Sequence, residues 1–161
     1  MLKFQELYES YAAEIYRFAL WLSGNRFEAE DITSATFVRA WARNNIIYTE
    51  TLKAYLFTIA RNIYLEQQRK RRNEVALEDV YKDPAPGPDK LLEYQLKLFR
   101  VRQILQTLPE IDRTAFVLRV EHDLPYTEIA RVLKLTLSAA KVKVHRVRKK
   151  LIKTCIEKED S

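Results

Sequence analysis

An all-α fold, made of two small helical domains joined by a flexible linker, is what the sequence predicts, and three observations predict it. Apolar residues recur every three or four positions through most of the chain, the period of amphipathic helices. Only two glycines occur in 161 residues, which argues against a hairpin-rich β fold. Near the middle, Pro84, Pro86, Gly87 and Pro88 fall within five positions, and the helical period lapses around them.

The first helix carries Phe4, Leu7, Tyr11, Ile15, Phe18 and Leu22 on one face and stops at Gly24. A second pattern covers Glu28 to Asn44, with Ile32, Phe37, Ala40 and Trp41 near one face and Asn25 as its candidate cap. Acids in its first turns suit the helix dipole, and that accounts for Glu28, Glu30 and Asp31 without an acid/base pair. After the loop Asn44 to Tyr48, Thr49 can cap a third helix. Leu52, Leu56, Ile59 and Ile63 set its apolar face, and it ends in the basic run Arg69 to Arg72.

Residues 1–72 therefore form one expected domain, 73–88 the linker, and 89–155 the second domain. Three helices are expected there at about Asp89 to Leu108, Pro109 to Val120 and Pro125 to Leu133. Proline suits a helix start because its missing N–H has no partner there anyway. Thr136 then caps a last helix from Leu137 to about Ile156.

Lys and Arg total 28 against 22 Asp and Glu, a formal charge of +6, which suits an anionic partner such as nucleic acid. The scarcity of glycine excludes glycine-rich phosphate loops and with them most nucleotide-binding enzymes. Cys155 is the sole cysteine, so no disulfide framework or cysteine zinc site is expected. His122 lies between Glu121 and Asp123 in what reads as a solvated turn; three adjacent residues on a helix cannot converge on one ion. No cofactor, metal or catalytic group is expected. The chain lacks an apolar signal core and any apolar run of about 18 residues, which points to a cytoplasmic protein without membrane insertion.

Pro125 to Leu151 has the spacing of a helix-turn-helix: a short helix, a three-residue turn and a longer helix. Ile129, Ala130 and Leu133 are placed to pack on Leu135, Ala140 and Val144. Ser138, Lys141, Lys143, His145, Arg146, Lys149 and Lys150 then face outward. In a major groove, early turns of such a helix reach base edges and later cations reach phosphates. The competing explanation is a terminal helix that keeps cations for solubility. In the first half, Ala54 to Arg72 mixes aromatics, Asn62 and a basic end, as do surfaces that hold unpaired bases. A core helix with solvated cations explains the same composition.

Three stretches, in order, resemble the extracytoplasmic-function class of bacterial sigma factors. "EAEDITSATFVRAW" (Glu28 to Trp41) is similar to the family's region-two helix and "AYLFTIARNIYLEQQRKRR" (Ala54 to Arg72) to the helix that follows. "LPEIDRTAFVLRVEHDLPYTEIARVLKLTLSAAKVKVHRVRKKL" (Leu108 to Leu151) is similar to region four. The resemblance implies a transcription initiation factor, not an enzyme, that directs core RNA polymerase to promoter DNA.

Region two would bind the β′ clamp helices through Asp31, Ser34 and Arg39, with Trp41 as packing. It would open the minus-ten element with Asn62, with Arg61, Arg69, Arg71 and Arg72 on phosphates and a flipped base in the loop Asn44 to Thr51. Region four would bind the β flap. Its last helix would read the minus-thirty-five element with Ser138, Ala139, Lys141, Lys143 and Arg146, and hold phosphates with Lys149 and Lys150. A monomer is implied, with an anti-sigma factor as an admissible regulator, and the linker would let the domains reach sites about 70 Å apart.

The chain departs from the family pattern at four places. Ser34-Ala35 replaces the common Gln-Glu, which puts polymerase affinity in question. Lys134 stands where a glycine of positive φ is usual, so a strained or altered turn is expected. Val142 replaces a small polar residue and would either touch a thymine methyl or pack; Pro125 replaces a serine cap. The rival functions are a stand-alone helix-turn-helix regulator and a sigma mimic that occupies an anti-sigma factor.

Overall fold

A computed structural model describes residues 3–43, 52–74 and 92–159. The described residues form seven helices and no strand: α1 (Phe4–Ser23), α2 (Arg26–Arg43), α3 (Leu52–Asn73), α4 (Leu92–Gln106), α5 (Glu110–Val120), α6 (Tyr126–Leu133) and α7 (Leu137–Glu159). The chain divides into two compact units, Met1–Asp83 and Pro84–Ser161. The expected loop 44–51, with its Thr49 cap, lies outside the described residues, as do linker residues 75–88 and the expected helix start at Asp89.

In the first unit, α1, α2 and α3 pack on one another. Leu7, Ile15, Phe18 and Leu22 of α1 are buried, at the spacing the sequence predicted, while Tyr11 on that face is half-buried and Phe4 is 38% exposed. Ile32, Phe37 and Ala40 of α2 and Leu52, Leu56, Ile59 and Ile63 of α3 are buried as well. Phe18 and Phe57 meet edge to face at 4.8 Å, the arrangement that aromatic quadrupoles favour. Thr33 and Thr36 are buried in α2, yet each hydroxyl donates to the carbonyl four residues back, at 2.6 Å. That bond removes the cost of burying a bare hydroxyl.

Gly24 (φ 66°) closes α1, its amide bonded to the Leu20 carbonyl. The Asn25 side chain then accepts from the amides of Phe27 and Glu28 at 2.9 and 3.1 Å, so it caps α2, which begins two residues before the predicted Glu28.

In the second unit α5 is the central element, touching α4, α6 and α7. Its Ala115, Phe116, Val117 and Leu118 are buried. Arg113 is buried too, its guanidinium near the Leu105 and Leu108 carbonyls at 3.5 Å, where it supplies donors to the end of α4. Pro109 and Pro125 sit at the caps before α5 and α6 and not in their first turns. A sequence expectation fails at the turn after α5: His122 is buried, only 3% exposed, and not a solvated turn residue. The turn that carries it folds back on the unit, with the Leu124 amide bonded to the Leu118 carbonyl and Leu124 buried.

Candidate nucleic-acid interface

Helices α6 and α7 are the two arms of the helix-turn-helix. Ile129 and Leu133 of α6 bury against Ala140 and Val144 of α7, while Ala130 and Leu135 are half-buried. Between them Lys134 adopts the left-handed conformation (φ 55°, ψ 47°), and its amide reaches back to α6. The Leu135 amide donates to the Ala130 carbonyl at 2.9 Å, completing the helix end. The turn therefore keeps the geometry a glycine would favour, with a Cβ to accommodate. Thr136 caps α7 as expected, its hydroxyl accepting from the Ala139 amide at 3.1 Å.

The phase of α7 decides which side chains face solvent. Ala140, Val144, Val147 and Leu151 are buried, at spacings of four, three and four. The opposite face carries Ser138, Val142, His145 and Lys149, all exposed, with Lys141 and Arg146 on its flanks. Lys150 is exposed and Ala139 half-exposed at one side. Lys141 also lies over the Tyr126 ring at 6.0 Å, and the Arg119 guanidinium stacks on that ring at 4.7 Å. The Lys141 contact ties the first arm to the base of the second, and the Arg119 contact ties α5 to the first arm.

Lys143 departs from the sequence expectation. It is half-buried, and its ammonium pairs with the Asp112 carboxylate of α5 at 2.8 Å. Seen from α7, it sits between the outer face and the core, where the neighbouring helix supplies a counter-charge. Val142, in contrast, does not pack: it is 44% exposed.

In the first unit Asn62 and Arg69 stand seven residues apart on one exposed face of α3, with Glu66 between them. Arg72 is exposed nearby, and Arg61 is half-buried. Arg71 turns to the other side, where it pairs with the buried Glu28 of α2. The structure thus groups Asn62, Arg69 and Arg72 and separates Arg71 from them.

The outward face of α2 carries Phe27, Asp31, Ser34, Val38 and Trp41 at spacings of four, three, four and three, all exposed. Trp41, expected to pack, is 45% exposed, with the Phe4 ring of α1 edge-on to it at 5.6 Å. Arg39 does not share the face. It points to α3 and forms a two-toothed pair with Glu66, both bonds 3.2 Å. That pair, with Arg69 and Lys70 nearby, holds the Glu66 carboxyl below the usual carboxylate range. A groove of about 290 Å³ beside the face is lined by Tyr8, Ala12, Tyr16, Glu30, Thr33 and Ser34.

Sequence reasoning missed Phe27 and Val38. Both lie on the same helical stripe as Asp31 and Ser34, and projecting that stripe in both directions would have found them. Among the described residues no three metal-ligating side chains cluster, and no helix is long and apolar enough to cross a membrane.

Comparison with known proteins supplies a second line of evidence. A family model described as Sigma-70 region 2 matches residues 7–74, and one described as Sigma-70, region 4 matches 98–151. The chain is 34% identical over 141 residues to the ECF RNA polymerase sigma factor EcfG of Rhodopseudomonas palustris, covering 83% of this chain and 75% of that protein. It is 32% identical over 156 residues to the ECF RNA polymerase sigma factor SigE of Mycolicibacterium smegmatis. That alignment takes in 94% of this chain but 61% of the relative's length. Among solved structures, the sigma factor RpoE of Bartonella quintana, crystallised with the anti-sigma factor NepR, superposes with a TM-score of 0.77 at 28% identity. The match covers 92% of this chain and 93% of that one.

Proposed function

Because the chain belongs to the sigma-70 family, in its extracytoplasmic-function class, we propose that it binds core RNA polymerase and directs it to promoters, each unit taking half of the task. The first domain (1–72) engages the β′ clamp helices and opens the minus-ten element. The linker (73–88) spans the gap, and the second domain (89–155) engages the β flap and reads the minus-thirty-five element. Two modest DNA contacts held on one polymerase gain from each other's effective concentration, so neither unit needs high affinity alone.

One observation carries this proposal: the region-2 and region-4 matches fall, in family order, one on each compact unit. The second unit also turns the cations of α7 outward. On α7, Ser138, Ala139, Lys141 and Arg146 take the base-reading role and Lys149 and Lys150 the phosphates, each phosphate contact steepening the salt dependence by about 0.9 log unit. Lys143 acts on the fold of the unit instead.

On α3, Asn62 contacts the opened minus-ten element, with Arg61, Arg69 and Arg72 at phosphates, while a displaced base goes to the loop 44–51; Arg71 braces α3 against α2. On α2, Asp31, Ser34 and Trp41, joined by Phe27 and Val38, form the polymerase face. An apolar stripe with a few polar groups suits a protein partner better than a phosphate backbone. Arg39 supports that face through Glu66. The protein supplies no chemistry of its own, since the polymerase makes the RNA, and it works in the cytoplasm as a monomer. An anti-sigma factor, the partner in the Bartonella complex, is the class of regulator that would cover these surfaces.

The test is binding of the full chain to bacterial core RNA polymerase by fluorescence anisotropy at physiological salt. Asp31→Ala and Trp41→Ala serve as variants. Tight, saturable, competable binding that both variants weaken is the expected result. A folded chain that ignores core polymerase but binds an operator alone would overturn the proposal in favour of a stand-alone regulator; one that binds neither would point to a sigma mimic.

A further inference from the structure

We propose that Val142 reads a thymine methyl group in the minus-thirty-five element, which makes it a specificity-determining residue of α7; the inference rests on the sigma function above. A single exposed apolar residue is ordinary on any protein surface and needs no explanation. The place of this one does. Val142 is the sixth residue of α7, inside the two turns that reach base edges when a helix enters a major groove. It lies mid-face, on the line of Ser138, His145 and Lys149, between the flanking cations Lys141 and Arg146.

The fold has no use for it there. The core side of α7 is filled by Ala140, Val144 and Val147, each at most 2% exposed. A β-branched side chain also lowers helix propensity at a surface position. Nor can Val142 serve as a phosphate contact, having neither charge nor donor. Among the groups that base pairs present in the major groove, the thymine 5-methyl is the apolar one. A short, stiff, apolar probe at the centre of a polar face therefore matches that group.

Its neighbour fixes the phase. The Lys143 ammonium is held by Asp112 of α5 at 2.8 Å, on the side of α7 toward the core. With Lys143 anchored there, the rotation of α7 leaves Val142 outward, and the longer, charged residue cannot take its place at the groove.

The experiment uses the full chain assembled with core polymerase. A promoter pool randomised across the minus-thirty-five element is selected by this holoenzyme and, in parallel, by holoenzyme carrying Val142→Ala or Val142→Ser. The preferred duplex is then synthesised with each thymine replaced singly by deoxyuridine, which removes the methyl and nothing else. The expected result is one position where this change weakens wild-type binding about fourfold, the worth of one buried methyl. Val142→Ser should be indifferent to it and should relax selection at that position alone, and Val142→Ala, which keeps one methyl, should respond less than wild type.

Selection of a sequence whose thymines all tolerate uracil, or identical preferences for wild type and variants, would overturn the thymine assignment and leave the sigma function standing. Failure to bind core polymerase or to select any sequence would overturn both. Because the site is exposed and alanine favours helix, unfolding of the variants does not confuse the outcome.

Discussion

Lys143 offers the sharpest separation between a cation that serves the fold and one that serves DNA. Its ammonium and the Asp112 carboxylate are 2.8 Å apart, with side chains only 23% and 24% exposed. At an effective dielectric of about 20 the bare attraction over that distance is roughly 6 kcal/mol. Partial desolvation and the ordering of a lysine side chain consume most of it, leaving about 1 kcal/mol, the upper end for pairs that still touch water. A double-mutant cycle of Lys143→Met and Asp112→Asn should therefore show a coupling energy of about 1 kcal/mol. For a unit of this length each single change should lower the melting temperature by about 4–8 °C. In DNA binding at increasing salt, Lys143→Met should keep the wild-type slope, whereas Lys149→Met should flatten it by about 0.9 log unit. The reverse pattern, negligible coupling with a flattened slope for Lys143→Met, would show that this lysine meets phosphate after all.

Lys134→Gly should stabilise the second unit by about 1 kcal/mol in urea unfolding, because glycine adopts the left-handed conformation without a Cβ clash; a loss of stability would refute that origin. Asn25→Ala should cost about 1 kcal/mol by removing the cap on the Phe27 and Glu28 amides, and Asn25→Asp should restore most of it. Glu66 is held ionised by Arg39, so its contribution is present above the unfolded carboxylate range, near pH 4.3, and fades as pH falls through the lower folded value. The stability gap between wild type and Glu66→Gln should thus narrow on acidification from pH 7 to 3, and a constant gap would contradict the assignment. Asn62→Ala should slow promoter opening, read by permanganate footprinting, with core binding intact; an unchanged footprint would remove the residue from the melting role.

The fold was legible because its signals are local. Gly24 and Asn25 divide α1 from α2 through hydrogen bonds that span two to four residues. Thr136 marks the start of α7 in the same way, and three-and-four spacing alone located the buried faces of α1 and α3. His122 and Trp41 were misjudged for the opposite reason. A polar residue in a turn and an aromatic on an amphipathic helix have typical surroundings, but their actual burial depends on tertiary packing that no local window contains. His122 is buried because its turn is drawn back onto its unit, whereas Trp41, near the end of α2, meets Phe4 at the start of α1 and is still 45% exposed.

The candidate site was legible as composition and only partly as geometry. Lys141 and Lys143 look alike in sequence, yet two residues rotate a helix by about 200°, enough to separate an outward cation from one aimed at a neighbouring helix. What settles the matter is a carboxylate far away along the chain. Asp112 lies 31 residues from Lys143, and Glu66 lies 27 from Arg39; Glu28 claims Arg71 from another helix altogether. Each of these acids pairs, from another helix, with a cation that composition alone would leave to a partner. The positive charge available to an anionic partner is therefore smaller than the composition suggests, and more sharply directed. On α7 the exposed cations are Lys141, Arg146, Arg148, Lys149, Lys150 and Lys153, and Val142 is a neutral side chain on the outward face among them. Under the proposed function, a surface arranged in that way would grip the backbone at its edges and leave the middle to discriminate between bases, the division that sequence-specific binding requires.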